Sequence, residues 1–305
     1  MLGREAAASR GEGMHVYHNS CHAMGSRLNV VLPHADAELC ERLFSRIRAE
    51  VDRVESRLSR FQPGSDISRI NRSAHRGGVA LDDELFAILD TCLCYAELTG
   101  GAFDITLGQG GAGPAASHLH EIVLDREKRS IAFARAGIRL DLGGFGKGYA
   151  LERIRPLLGA APVAHAFISF GESSILVKGT HPHGAAWPVG IRDLYHPERP
   201  ACSFALCDQA LSSSSNYRVE DDGRLEQRAH VIDPCTGTPV TGTGIACVIG
   251  NSPLQAEILS TAFLVLDENR IGAVLDQLEE RVEVVRISYR GTRATVTPVP
   301  ASVEV

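Results

Sequence analysis

One segment constrains this chain more than any other. In PLQAEILSTAFLVL (residues 253–266) nearly every position is apolar, which predicts a helix buried on all sides, capped by Ser252 with Pro253 at its first position. Such a helix needs a body large enough to surround it, and 305 residues supply one substantial core. Two residues fit badly in that company. Glu257 and Thr261 are four apart and therefore share one face, with Ser260 beside them. A buried carboxylate without a partner is costly. Either an oxygen-liganded cation resolves the cost, or an arginine satisfies Glu257 while Thr261 bonds back to the helix backbone.

Around this helix the pattern mixes helices and strands. Residues 1–14, rich in Ala, Gly, Ser and Arg, are expected to be disordered, and residues 15–305 to form a single domain. A strand is expected over 27–32. Leu39, Leu43, Ile47, Val51, Val54 and Leu58 recur at three and four residues, which predicts an amphipathic helix over 36–58. Pro63 and Gly64 break it. A second helix runs from about Asp82, a potential cap, to Leu98, with Gly100 and Gly101 as stops. Then come a short strand at 102–106, a hairpin in EIVLDREKRSIAFA, and a strand passing through glycines into a helix over 140–154. Strands follow at 164–169, 174–178, 187–192, 203–211, 230–232 and 244–250. After the buried helix, another helix at 269–281 and two strands close an α+β fold.

Several function classes are excluded. A net charge of −6 without clustered cations argues against nucleic acid, and no apolar run reaches the roughly 18–20 residues of a membrane span. Eight cysteines occur with no CxxC pair, so they read as small buried hydrophobes rather than a zinc site. With no apolar signal-peptide core at the N-terminus, the expected protein is reduced and cytoplasmic.

Two further motifs carry chemistry. In LDLGGFGKGYA, Asp141 precedes Gly143, Gly144, Gly146 and Gly148, and Lys147 falls near a helix start. Glycines and a lysine there suit a phosphate group, though tight packing explains the glycines equally well. In HVIDPCTGTPV, Asp233-Pro234 and Thr236-Gly237 form a turn that places His230 on a strand near a cleft, where it is either a base or a structural histidine. GGAFDIT, with Phe103 and Asp104, and the serine run in ALSSSSNYRVE say little separately; the serines read as a loop.

Taken in order, these segments resemble the ApbE family of FAD:protein FMN transferases. Met24-Gly25-Ser26 resembles the family's opening Met-Gly-Thr. SRFQPGSDISRIN is similar to its Ser-x-Tyr…Ser-x-x-Ser-x-x-Asn, with Phe61 at the tyrosine position. GGAFDIT, LDLGGFGKGYA, HVIDPCTGTPV and AEILSTA resemble Gly-Gly-Ala-Phe-Asp-Pro-Thr, Asp-Leu-Gly-Gly-x-x-Lys-Gly, His-x-x-Asp-Pro-x-Thr-Gly-x-Pro and Ala-Asp-x-x-x-Thr-Ala. The resemblance covers about residues 24–266.

The resemblance implies an α+β fold of mixed and antiparallel sheets with packed helices, forming two interlocked lobes around a cleft. It implies FAD as substrate, held by Met24, Phe61, Ala102, Phe103, Asp104, Asp141, Lys147 and Ile232. It implies Mg2+ held by Glu257, Thr261 and the backbone carbonyl of Gly144, with His230 as general base. The implied reaction moves FMN from FAD onto a threonine or serine of an acceptor protein and releases AMP. An FAD pyrophosphatase, or a protein that only binds FAD, would use the same site. The family's acceptor motif resembles Ser/Thr-Gly-Ala-Thr/Ser, which does not occur here, so self-modification is not expected. This chain departs from the family pattern in four places. Glu257 replaces an aspartate, Ser215 a glycine and Phe-Gly-Glu-Ser-Ser (residues 170–174) a Gly-Gly pair, and the stretch between Thr106 and Asp141 is short.

Overall fold

The structure, a computed structural model, describes residues 15–34, 36–107, 116–219, 224–227 and 231–301. The expected disorder of residues 1–14 lies outside the described residues. The first hairpin, β1 (Val16–Ala23) and β2 (Ser26–Pro33), turns through Met24 and Gly25, both at positive φ. Helix α1 (Ala37–Leu58) follows, its cap Asp36 accepting the Leu39 N–H at 2.9 Å. Its buried Leu43, Ile47, Val51, Val54 and Leu58 are the periodic apolar residues of the sequence. Ser65 caps a short helix, α2 (Asp66–Ser73), and β3 (Val79–Ala80) leads to α3 (Asp83–Leu98), capped by Asp82 and ended by Gly100 and Gly101 at positive φ. A hairpin of β4 (Ile122–Asp125) and β5 (Ser130–Phe133) joins β3 in a three-stranded sheet.

After α4 (Gly143–Ala160) the chain is mostly strands. These are β6 (Ala166–Phe170), β7 (Ser174–Lys178), β8 (Trp187–Arg192), β9 (Pro200–Leu206), β10 (Ala210–Ser215), β11 (Tyr217–Val219) and β12 (Leu225–Gln227). A small hairpin, β13 (Ile232–Asp233) and β14 (Thr238–Pro239), precedes β15 (Gly244–Gly250) and the buried α5 (Pro253–Val265). Helix α6 (Glu268–Leu275), β16 (Glu283–Arg290) and β17 (Arg293–Pro298) complete the fold.

Eight strands form the main sheet, in the order β1-β2-β6-β7-β10-β15-β16-β17, and all strand pairings among the described residues are antiparallel. The middle strands are apolar on both faces because both faces are covered. On β15, Ala246 and Val248 join the core beneath α1, α4 and α5, whereas Ile245, Cys247 and Ile249 pack with Trp187, Val189 and Ile191 of the β8–β9 hairpin. No helix among the described residues is long and apolar enough to cross a membrane.

Some local expectations fail for identifiable reasons. Residues 102–106 form turns rather than a strand, since two positive-φ glycines deflect the chain and Asp104 folds back onto Thr106. Residues 138–142 are irregular, held by side chains instead of a ladder. The strand expected over 203–211 is two, β9 and β10, broken where Asp208 adopts φ 53°. The serine run is the second half of β10, not a loop. The last helix stops at Leu275. β1 and α2 lack the apolar alternation or length that would have predicted them.

Candidate active site

Helices α4 and α5 cross with almost no space between them. A Cβ on Gly148 would lie 2.5 Å from Glu257 Cβ and 2.7 Å from the Pro253 carbonyl, and one on Gly144 would lie 3.3 Å from Thr261 Oγ1. Gly144 and Gly148 are four apart on α4, as Thr261 and Glu257 are on α5, so the two pairs face each other in antiparallel sense. The motif glycines therefore sit within the helix and permit this seam; they are not a loop ahead of it. Asp141 accepts the Gly143 N–H at 3.0 Å, just ahead of the helix.

Glu257 is 4% exposed at the centre of the seam. Its Oε1 is ion-paired with Lys147 Nζ. Its Oε2 accepts hydrogen bonds from Ser174 Oγ at 2.5 Å and Ser212 Oγ at 2.9 Å. Because a carboxylate only accepts, the Ser174 and Ser212 hydroxyls both direct their protons to it. Ser212 donates to the acid, so it can only accept from Ser260 at 3.0 Å, whose single proton also has the Glu257 carbonyl within reach at 3.1 Å; Ser214 lies 2.9 Å from Ser260. Thr261 Oγ1 donates to the Glu257 carbonyl at 3.1 Å. The arginine weighed as Glu257's partner is thus a lysine, while the back-bonded threonine is present.

At the entrance to α4, Arg60 Nε stands 2.8 Å from Asp141 Oδ2, out of line for a hydrogen bond, so the contact is electrostatic. The same guanidinium lies 4.2 Å from the centroid of the Phe61 ring, which is 77% exposed. The turn bearing both is tied down by Ser65, which donates to the Ser59 carbonyl at 2.6 Å, and by Ser68, which donates to that of Arg60 at 3.2 Å. Asn71 clamps Leu140 through both its amide groups, at 2.7 and 2.9 Å.

The other expected ligand residues fall as follows. Met24 lies so close that a Cβ on Gly146 would meet its Cε at 2.6 Å, and its N–H donates to Glu55 Oε2 at 2.8 Å. Ala102 and Phe103 are buried, with the Phe103 ring against Gly144. Asp104 Oδ1 accepts the N–H and O–H of Thr106, both at 2.6 Å, but its Oδ2 is shielded from solvent without a partner among the described residues. Ile232 is half-buried in the β13–β14 hairpin, and its neighbour Asp233 lines a cavity of about 410 Å³ beside Leu264 and Leu266 at the end of α5. His230 lies outside the described residues.

Sequence reasoning missed Arg60, Ser174, Ser212 and Ser214. The signal for the last two was available: alternate hydroxyls in a run following an apolar strand point to one face if the strand continues. Nothing local marks Arg60 or Ser174.

The model of the ApbE family matches residues 24–286 of the chain. An FAD:protein FMN transferase from Treponema pallidum is 28% identical, covering 72% of this chain and 69% of its own length. One from Klebsiella pneumoniae is 25% identical, covering 87% of each. In structure, the flavin transferase ApbE from Vibrio cholerae superposes with a TM-score of 0.79 at 19% identity, covering 94% of this chain and 98% of that one.

Proposed function

The chain belongs to the ApbE family, and from that premise we propose that it transfers an FMN unit from FAD to a threonine or serine hydroxyl of an acceptor protein. The observation that carries the proposal is a convergence. Met24, Arg60 and Asn71, Phe103, and the Glu257–Thr261 pair, from four distant stretches of chain, all meet residues 140–148. A core needs no such gathering of acids, cations and hydroxyls, and the names of the relatives, FAD:protein FMN transferases, suggest the reaction class it serves.

FAD enters as substrate. The exposed Phe61 ring offers a flat face to the isoalloxazine or adenine. Asp141 and the unsatisfied Oδ2 of Asp104 are acceptors for its N–H or O–H groups. Met24, Ala102, Phe103 and Ile232 complete the binding surface, the two buried ones through backbone.

Glu257, Thr261 and the Gly144 carbonyl offer only hard oxygen donors, a set that suits magnesium, and the glycine seam brings the threonine hydroxyl against the Gly144 backbone. When bound, magnesium supplies neutralisation of charge on the pyrophosphate oxygens. Lys147 contributes a second positive group for the phosphates. His230 takes the acceptor hydroxyl's proton as that oxygen bonds to the FMN phosphorus. The bond from this phosphorus to the bridging oxygen breaks, and AMP leaves with the electron pair.

Incubating the protein with FAD, Mg2+ and a protein carrying a Ser/Thr-Gly-Ala-Thr/Ser segment is expected to add one FMN unit per acceptor site by mass spectrometry, with AMP appearing in equal amount. Free FMN and AMP beside an unmodified acceptor would make the protein an FAD pyrophosphatase. Unchanged FAD would make it a binder. Either result overturns the proposal.

A further inference from the structure

Glu257 already has a cation. Lys147 occupies Oε1, and the two serine hydroxyls take both acceptor directions of Oε2, so three of the roughly four acceptor sites of the carboxylate are used. The Lys147 side chain is 21% exposed, unlike the fully enclosed serines, so it is the one partner able to leave towards solvent. It stands one residue before Gly148 and reaches across the seam that glycine opens.

Resting on the magnesium reading above, we propose that Lys147 is the resident counter-ion of Glu257 in the metal-free protein, displaced when a divalent cation takes Oε1 and thereby released to the phosphates of the dinucleotide. Thr261 and Gly144 lie one turn further along the same seam, and because Ser174 and Ser212 fill both acceptor directions of Oε2, a divalent ion shared with them takes Glu257 at Oε1. An ammonium and a divalent ion on one oxygen repel each other strongly at such short range. The two cations therefore exclude one another. Without Lys147, the carboxylate would be buried and unpaired before the metal arrives, which is costly. With it, the site waits as a neutral ion pair, and the phosphate-binding cation becomes available only once the metal is in place. The longer reach of glutamate over aspartate suits this arrangement, because it carries the carboxylate to Ser174 and Ser212, which hold Oε2 through the exchange.

The test is Mn2+ binding to the full chain without nucleotide, followed by the electron paramagnetic resonance of free Mn2+. Lys147→Met and Lys147→Gln are expected to bind Mn2+ roughly tenfold or more tightly than the unaltered protein, Lys147→Arg to bind as weakly as it does, and Glu257→Gln to lose the site. The glutamine variant keeps a donor to Oε1 and gives the same readout should the methionine variant fail to fold. If neither neutral variant binds more tightly while Glu257→Gln still abolishes binding, the counter-ion exchange is wrong and the metal site stands. If Glu257→Gln binds Mn2+ unchanged, both fall.

Discussion

Ser212 and Ser214 are two apart on β10, so the pleat turns both hydroxyls towards α5, where Ser260 and Glu257 receive them. This is how a carboxylate one methylene longer than the family's aspartate is accommodated: Ser212 and Ser174 grip its far oxygen from β10 and β7. Hydrogen bonds to a buried charge stabilise more than neutral ones. Replacing Ser212 with alanine is therefore expected to cost about 1.5–3 kcal/mol of unfolding free energy, read from urea denaturation. Ser213→Ala, on the opposite face of the strand, is expected to stay within about 0.5 kcal/mol of the parent. The serines were legible only in part. Their spacing was visible, but whether a serine run alternates between two faces depends on its being a strand, and that is decided by pairing with β7 and β15.

At the scale of elements, the α4–α5 seam is what gives Glu257 its surroundings. Gly148 is where it is tightest. An added methyl would meet the Pro253 carbonyl and the Leu254 Cα, at 2.7 and 3.0 Å, and neither can swing aside as a flexible side chain could. Gly148→Ala is expected to destabilise by about 1–3 kcal/mol and to weaken metal binding as the helices part. Gly159, in the last turn of the same helix, has nothing within 4 Å of an added Cβ. There alanine is expected to stabilise by up to about 1 kcal/mol, because it restricts the unfolded chain at no steric cost. Thermal melts of the two variants check both signs. A motif rich in glycine reads equally as a phosphate loop or as close packing. The helix facing it, more than 100 residues downstream, favours packing within the helix.

Across the whole molecule, one carboxylate fastens the helical layer. Glu84, in the first turn of α3, receives both ends of the Arg53 guanidinium at 2.7 Å, Arg57 at 2.5 Å and the Tyr149 hydroxyl at 2.7 Å, joining α1, α3 and α4. The Arg53 hydrogen bonds, above all, pull its pKa from 4.5 down to about 2, with Tyr149 and the two arginine charges adding to the effect. Because the folded value lies below the ordinary one, this stabilisation is present above about pH 4.5 and is lost as pH falls towards 2. Glu84→Gln is expected to cost on the order of 2–3 kcal/mol at pH 7. Its denaturation midpoint should converge on that of the parent between pH 4 and 2, measured in urea at each pH. The amino-acid sequence alone sufficed for the long helices α1, α3 and α5, through apolar patterning and capping side chains that act over a few neighbours. It also determined the family, through motifs that persist in order, and an acid inside a greasy helix that had to find a partner. Which partner it found was a tertiary decision. Lys147 and Glu257 are 110 residues apart, and no local rule selects a lysine over an arginine or a metal. The choice falls to whichever cation the helix packing carries within reach of a charge that cannot be buried alone.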